Sequence, residues 1–497
     1  MKKRNCGVLL HLTSLPSKYG CGDFGQPAFS FIKTLSQSAQ NFWQLLPLNP
    51  LLALNSFSPY SSFSSNAISS LFLSPENLYE LQLADRNDLT PFNTNSPQTN
   101  YQRVSLFKDH LLEKAWKRME RKLPSHTGFT LFCEKNRYWL DDYALFIALK
   151  ISNNHAPWYE WPQPLKLRNP KALQSAKLRY EEIIQKTKFT QFLLDSQLEN
   201  LREFAHSHNV HLIGDLPFYQ NCDSVEAWTQ PFCFKLNENL TPAFLSGMPP
   251  DIYSPLGQRW RNPVYNWDQL KRCNYKIWKN RLRRMFSLYD MIRLDHFRGF
   301  VSYWQIDATL GDARKGTWVD VDTDHFLGEM ARHFPTFPVF VEDLGASNAK
   351  VREVVSSFNL PGSRVLQFGF DPFSPNNIHL PHNYPHNCVA STSTHDTNTI
   401  IGWFRAADTE QKNKVLDYVG ESHSLKGLHT KLIRSVMISQ ADTVIIPFQD
   451  ILGLGEEGRI NHPGSGSNNW SWRYSAERIE HSVFKDIARM SEIYDRV

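Results

Sequence analysis

Nothing in this sequence approaches the roughly 20 consecutive apolar residues that cross a bilayer. The start, MKKRNCGVLLHLTSLP, places basic residues ahead of an apolar run, as a signal peptide does. That run is only VLL before His11 and Thr13 interrupt it, and no small-residue cleavage site follows. Cysteine is sparse: seven residues (6, 21, 133, 222, 233, 273 and 388), odd in number, dispersed and without a C-x-x-C pair. A disulfide framework is thereby excluded in favour of free thiols in a reducing compartment, which predicts a cytoplasmic protein. An excess of one charge is lacking too, since the net +5 is spread over 497 residues. The best candidate for a nucleic-acid patch is KNRLRRM, with Lys279, Arg281, Arg283 and Arg284, and it reads instead as the solvated face of a helix.

Several familiar motifs are missing as well. There is no P-loop, nucleophile elbow or zinc-protease signature. GLGEEG (453–458) matches G-x-G-x-x-G, but its two glutamates would repel a pyrophosphate, and the following RINHPGSGSNN has no helical pattern. HLPHNYPH brings His379, His382 and His386 close in sequence, but two prolines break any helix and no cysteine or carboxylate lies near, so it reads as a loop and not a metal site. No internal repeat or low-complexity tract is present.

What the chain does have is a regular alternation. Eight short apolar runs end in polar or charged residues: 7–12, 42–48, 210–218, 291–297, 339–345, 364–370, 389–396 and 443–450. Their length and their β-branched and aromatic content predict strands, and segments with helical spacing (26–39, 268–289, 323–334, 347–358 and 409–440) lie between most of them. Strands alternating with helices in this number predict an α/β protein, a (β/α)8 TIM barrel, with its site at the C-terminal strand ends. His11, Asp215, Asp295, Glu342, Asp396 and Asp450 all fall at or just past such ends. The gap 49–209 is too long for a loop and predicts a mostly helical subdomain inserted between strands 2 and 3. A second insertion, 219–267, reads as an extended substrate-covering loop over the barrel mouth, and all of 1–497 as one catalytic domain.

Aromatic residues are abundant (14 Trp, 18 Tyr, 33 Phe) and many stand beside polar ones, as in SPYSSFSS, APWYEWPQP and NNWSWR. Rings beside hydrogen-bonding groups suit sugars, although most aromatics simply fill cores. Asp295, Glu342 and Asp396 supply the chemistry such a reading needs. Glycoside cleavage with retention takes a carboxylate nucleophile and a carboxylic acid about 5–5.5 Å apart, within reach of neighbouring barrel strands. Arg293, two residues before Asp295, faces the same side of its strand and can keep that carboxylate ionised. The apolar lead-in VFV and adjacent Asp343 can raise the pKa of Glu342. Taken singly, each carboxylate could equally be structural.

Taken with these residues, the chain resembles glycoside hydrolase family 77, the 4-α-glucanotransferases called amylomaltase or disproportionating enzyme. The likeness runs end to end, through GVLLHLTSLPSKYGCGDFG, SPYSSFS, GDLPFY, PPDIYSPLGQRWRNPVYNW, RLDHFRGF, VEDLG, PGSRVLQFGF, THDTNT and DILGLGEEGRINHPG. The resemblance implies the short form of the fold, without an extra N-terminal domain or the C-terminal β-domain of α-amylases. It implies Asp295 as nucleophile, Glu342 as acid/base and Asp396 as the third carboxylate. Arg293, His296, His395 and Asp215 match the polar ring around the donor sugar; Ser58, Tyr60, Gln258, Trp260, Asp371 and Asn469 match residues along the glucan path. Five places depart from the family pattern: Thr397-Asn398 for N-D, Ile252 for an aromatic, Arg261 for glycine, Ser363 for methionine and Leu294 for isoleucine.

The expected reaction is transfer of an α-1,4-glucan segment to the 4-hydroxyl of glucose or another glucan, by double displacement. Donors would be maltooligosaccharides, amylose, or glycogen and starch fragments, with no metal or organic cofactor, nucleic acid or membrane involved. An α-1,4-glucan hydrolase of the α-amylase type would share every carboxylate.

Overall fold

The eight apolar runs form one closed barrel of parallel strands. The structure, a computed structural model, describes residues 4–51, 57–92, 96–250, 254–345, 349–370, 373–421, 426–465, 469–475 and 481–497. In chain order the strands are β1 (Asn5–Leu9), β2 (Phe42–Gln44), β3 (His211–Leu216), β4 (Phe244–Met248), β5 (Gln258–Pro263), β6 (Met291–Leu294), β7 (Ser302–Asp307), β8 (Thr317–Asp320), β9 (Val339–Val341), β10 (Gly362–Val365), β11 (Cys388–Ser391) and β12 (Thr443–Pro447). The barrel runs β1-β2-β3-β6-β9-β10-β11-β12 and closes back on β1. Val8, Trp43, Ile213, Ile292, Phe340, Ala390 and Val444 are all buried along it. Parallel strands covered on both faces cannot alternate polar with apolar, which is why they stand out as continuous apolar runs.

Register is what positions the site. Asp215 pairs with Arg293 across β3 and β6, and Leu294 pairs with Val341 across β6 and β9. Asp295 and Glu342, each one residue beyond those partners, therefore leave the barrel side by side at its C-terminal end.

Between β2 and β3 the chain forms the helices Pro75–Glu80, Tyr101–Met119, Thr127–Ser152, Pro170–Arg179 and Glu181–Ser207. Side chains of Ser74, Asn100 and Asn169 cap three of their N-termini by accepting backbone amides. Phe192 packs edge-on to Phe129 at 5.8 Å, joining the two longest helices, and Phe204 meets Phe29 of the helix Gln26–Gln37 at 4.8 Å. A fully buried ion pair, Lys108 to Asp23 at 2.6 Å, ties these helices to the loop after β1.

The structure corrects several local expectations. The segment 219–267 is not simply an extended loop: it contains β4 and β5, which join β7 and β8 in a four-stranded antiparallel sheet of order β5-β4-β7-β8. Trp304 and Trp318 face each other across β7 and β8, ring centroids 5.3 Å apart. The predicted helix 268–289 is two, Trp267–Arg272 and Lys276–Leu288, broken where Asn274 and Tyr275 take left-handed backbone (φ 53° and 51°). The stretch 409–440 likewise divides into Thr409–Tyr418 and Leu428–Met437. KNRLRRM is only partly a solvated face, because Arg281 and Arg284 are buried. Arg281 donates to the carbonyls of Pro217 and Phe218 beyond β3, and Arg284 pairs with Asp195 at 2.6 Å and donates to the Asn66 carbonyl. Two of the four cations are thus spent inside, holding the chain that leaves the barrel.

At the N-terminal end of the barrel Arg496 plugs the floor. Its buried guanidinium donates to the carbonyls of Met437, Ser439, Ala441 and Asn5. All seven cysteines are free, and no helix among the described residues is long and apolar enough to cross a membrane.

Candidate active site

Arg293 organises the floor of the cleft. Its Nη1 donates to both oxygens of Asp215, at 3.0 and 2.9 Å, and to Oδ1 of Asp295 at 2.8 Å. Asp215 is fully buried beneath it, whereas the Asp295 side chain is 22% exposed and still reaches the cleft. Burial pushes the Asp215 carboxyl up, against the pull of Arg293. Tyr60 closes the arrangement: its hydroxyl donates to Asp215 Oδ2 at 2.8 Å and lies 2.8 Å from Nε2 of His395, on which its ring stacks.

Glu342 follows β9 and is gripped by backbone. Its Oε2 accepts the amide of His296 and its Oε1 that of Leu344, both at 2.9 Å. His296 is the residue after Asp295, so the two carboxylates share a wall. The grip needs His296 in left-handed backbone, φ 47°, which turns its amide toward Glu342. Burial, reinforced by the Asp295 and Asp343 charges and opposed by Arg293, raises the Glu342 carboxyl to about 8. Asp343 itself points away, pairing with Arg364 and accepting the Ser363 amide at 2.7 Å. A side chain at Gly362 would strike that carboxylate, its Cβ only 2.7 Å from Oδ2. Ser363, at the place where the resemblance expects methionine, donates to the Val341 carbonyl at 2.8 Å and braces the residue before Glu342.

Asp396 stands on the loop after β11, its side chain 48% exposed to the open cleft. His395 Nε2 lies 3.2 Å from its Oδ2, and Asn461 donates to its Oδ1 at 2.7 Å. Crowding by the cleft wall opposes its ionisation, but His395 and Asn461 outweigh that and hold it at about 2. Burial works against a charged His395, yet the Asp396 charge prevails and moves it upward.

This loop is clamped from behind by the motif that mimicked a dinucleotide turn. Asp450, fully buried, accepts from the Thr392 and Ser393 hydroxyls at 2.5 Å and from the Ile400 amide at 2.7 Å. Thr399 donates to the Leu454 and Gly455 carbonyls, and Asn398 donates to Glu456. An aspartate at 398 would set two carboxylates against each other, so Asn398 fits its partner. Asp450, pushed up to about 6 by burial, braces this loop.

The outer residues divide. Trp260 stands edge-on to His296 with ring centroids 4.8 Å apart, and its indole donates to Gln258. Burial lowers the His296 imidazole to about 4, so it is neutral. Ser58 accepts the Tyr60 amide at 3.3 Å, and Asn469 accepts the His462 amide at 2.8 Å, closing its own turn. Asp371 and Ile252 lie outside the described residues. Arg261 is exposed with φ 64°, which is the physical reason glycine suits that position. His11 lines a small recess beside His395, Thr394 and Gln449, and burial brings its imidazole down to about 3.

Sequence reasoning passed over Asn461, Trp470 and Tyr219. Trp470 packs on Tyr60 at 5.7 Å, and Tyr219 on Trp260 at 6.0 Å. Each sits in a quoted segment (DILGLGEEGRINHPG, NNWSWR, GDLPFY), but which of its residues reach the cleft is decided by tertiary contact.

Comparison with known proteins gives a consistent result. The profile described as 4-alpha-glucanotransferase, glycoside hydrolase family 77, matches residues 10–478. The 4-alpha-glucanotransferase of Aquifex aeolicus is 38% identical over 496 residues, covering 99% of each chain. That of Clostridium butyricum is 37% identical, over 98% of this chain and 100% of the relative. Among solved structures, the amylomaltase from Streptococcus agalactiae in complex with acarbose superposes with a TM-score of 0.95 at 30% identity, over 99% of this chain and 100% of that one.

Proposed function

The chain belongs to the 4-alpha-glucanotransferase family, glycoside hydrolase family 77, and from that premise we propose how its cleft carries out the transfer. The protein is a glycosyltransferase that remakes glucan linkages by transglycosylation; plain hydrolysis is not the favoured reading. The geometry of the cleft supports the following roles for individual side chains.

Asp295 is the nucleophile. Arg293 bridges it to Asp215, so its charge is balanced and one face is fixed while the side chain reaches the cleft. Glu342 is the acid: a carboxyl held near 8 still carries its proton at neutral pH and can give it to the departing glycosidic oxygen. The covalent glucanosyl-enzyme then waits on Asp295, and Glu342, now ionised, takes the proton of an acceptor 4-hydroxyl, restoring an α-1,4 bond with net retention. Asp396, ionised and held by His395 and Asn461, grips sugar hydroxyls and offsets the positive charge of the oxocarbenium-like state. Neutral His296 and Trp260 offer a hydrogen-bonding edge and an apolar face to the ring. Asp215 and Tyr60 act through Arg293 and His395. No step calls for a metal or an organic cofactor.

Donors in this reading are maltooligosaccharides, amylose, and glycogen or starch fragments, with glucose or shorter glucans as acceptors. We take 1–497 as one catalytic domain in which the 49–209 insertion and the β4–β5 region of 219–267 cover the cleft. That cover disfavours water against sugar in the second step; Trp260 on β5, in contact with His296, supports it. Free thiols suit a cytoplasmic location.

The observation that carries the proposal is the paired exit of Asp295 and Glu342 from β6 and β9, with the Glu342 carboxyl bonded to the backbone next to Asp295. Incubation with maltotriose tests it. A transferase yields glucose together with maltotetraose and longer oligomers, whereas glucose and maltose alone, with no longer product, would refute transfer.

A further inference from the structure

At the end of the barrel opposite the cleft, two imidazoles and a carboxylate converge from three separate segments. His206 lies in the last turn of the helix Glu181–Ser207, His211 is the first residue of β3, and Asp290 immediately precedes β6. His206 Nε2 is 2.8 Å from Asp290 Oδ1, and His211 Nδ1 is 3.8 Å from Oδ2. One ligand atom from each of the three lies within 4.8 Å of the others, and this is the one such grouping among the described residues. The two rings are 5.3 Å apart, centroid to centroid, and inclined by 48°. The Leu212 amide donates to Asp290 Oδ2 at 2.8 Å, which fixes the carboxylate with Oδ1 toward His206.

We propose that His206, His211 and Asp290 form a three-ligand site for a divalent transition-metal ion of the Zn2+ class, a structural clip on the closed end of the barrel. Metal–nitrogen and metal–oxygen bonds of about 2.0–2.2 Å set tetrahedral ligand atoms roughly 3.3–3.5 Å apart. The carboxylate lies 2.8 and 3.8 Å from the two imidazole nitrogens, bracketing that value, and all three ligand atoms lie within 4.8 Å of one another, so side-chain shifts of about 1–1.5 Å complete the shell. Two imidazoles select Zn2+, Co2+ or Ni2+ over Mg2+ and Ca2+, whose hard ions prefer all-oxygen shells. The side chains are 41%, 43% and 21% exposed, so the ion has access and a water can fill the fourth position. Binding through Nε2 sends any proton on that nitrogen to Nδ1 or to solvent, and the ion replaces the His206–Asp290 hydrogen bond as the bridge. Such a clip would hold the end of the helix Glu181–Ser207 to the starts of β3 and β6, remote from the reacting carboxylates.

The test uses the full chain, prepared without a polyhistidine tag and stripped with a chelator. Zn2+ is titrated calorimetrically, Co2+ by visible absorption, and thermal midpoints are compared with and without one equivalent of Zn2+. The expected result is one saturable site, a four- or five-coordinate Co2+ spectrum without a thiolate charge-transfer band, and a midpoint raised by Zn2+ but not by Mg2+. His206→Asn and His211→Asn each weaken binding more than about tenfold and abolish the Zn2+-dependent shift, while maltotriose turnover is unchanged. The proposal is overturned if no saturable binding occurs, if a thiolate band assigns the ion to cysteine, or if both variants bind as the unsubstituted chain does. Since the site lies outside the cleft, none of these outcomes bears on the transfer mechanism.

Discussion

Replacing Glu342 by glutamine is expected to change stability in a way that depends on pH. Burial raises this carboxyl from 4.5 to about 8, so the folded protein keeps a proton that the unfolded chain releases above 4.5. A raised pKa contributes stability that is fully present below 4.5 and lost as pH climbs toward 8. Between pH 4.5 and 7 that loss integrates to about 3 kcal/mol, at 1.36 kcal/mol per unit. Glutamine does not titrate and escapes it. It has a separate cost that is independent of pH. Glu342 accepts two backbone amides, from His296 and Leu344, and a glutamine amide nitrogen cannot accept the second. Leaving that N–H unpaired costs about 1–2 kcal/mol. The variant should therefore be less stable than the unsubstituted chain at pH 4.5 by about 1–2 kcal/mol, and more stable at pH 7 by a similar amount. Urea unfolding at the two pH values, followed by tryptophan fluorescence, reads the crossing directly. A stability difference that is the same at both would refute the elevated carboxyl, and with it the assignment of Glu342 as the acid.

Three further substitutions probe the scaffold. Arg293→Met strips the buried Asp215 of its partner and should cost about 3–5 kcal/mol in urea unfolding; adding Asp215→Asn should recover much of that stability but not maltotriose turnover. Arg261→Gly removes an exposed left-handed non-glycine residue and should stabilise the chain by up to about 1 kcal/mol, measured as a higher thermal midpoint. Arg496→Met removes the guanidinium that bonds four floor carbonyls, two of which (Met437 and Ser439) keep Arg4 as a donor; it should destabilise by about 1–3 kcal/mol while KM for maltotriose stays unchanged.

How much of this could be read from residues alone depends on the range of the contacts involved. The barrel strands are legible because a strand buried on both faces is a local signal, and Asp295 and Glu342 are legible because they stand directly after such runs. The sheet β5-β4-β7-β8 is not, since QRWRNP, SYWQID and TWVD are polar and acquire strand character only by pairing β4 with β7, on either side of the barrel strand β6 in the chain. KNRLRRM looks solvated because charge implies water, yet Arg281 and Arg284 find carbonyls and Asp195 inside. The break at Asn274 and Tyr275 carries no glycine or proline to announce it. Around Asp396 one partner, His395, is its neighbour in sequence but the other, Asn461, is 65 residues distant, and His211 and Asp290 meet only because β3 and β6 are neighbours in the barrel. Strand ends are local; the shell that tunes a carboxylate is not.

The most direct test of the double displacement combines Glu342→Gln with a maltosyl fluoride donor. Fluoride leaves without acid assistance, so the first step proceeds, while the second stalls for want of a base. The account predicts that a glucanosyl adduct accumulates and that peptide mass spectrometry places it on Asp295. Fluoride release without an adduct, or an adduct on any other residue, would contradict it.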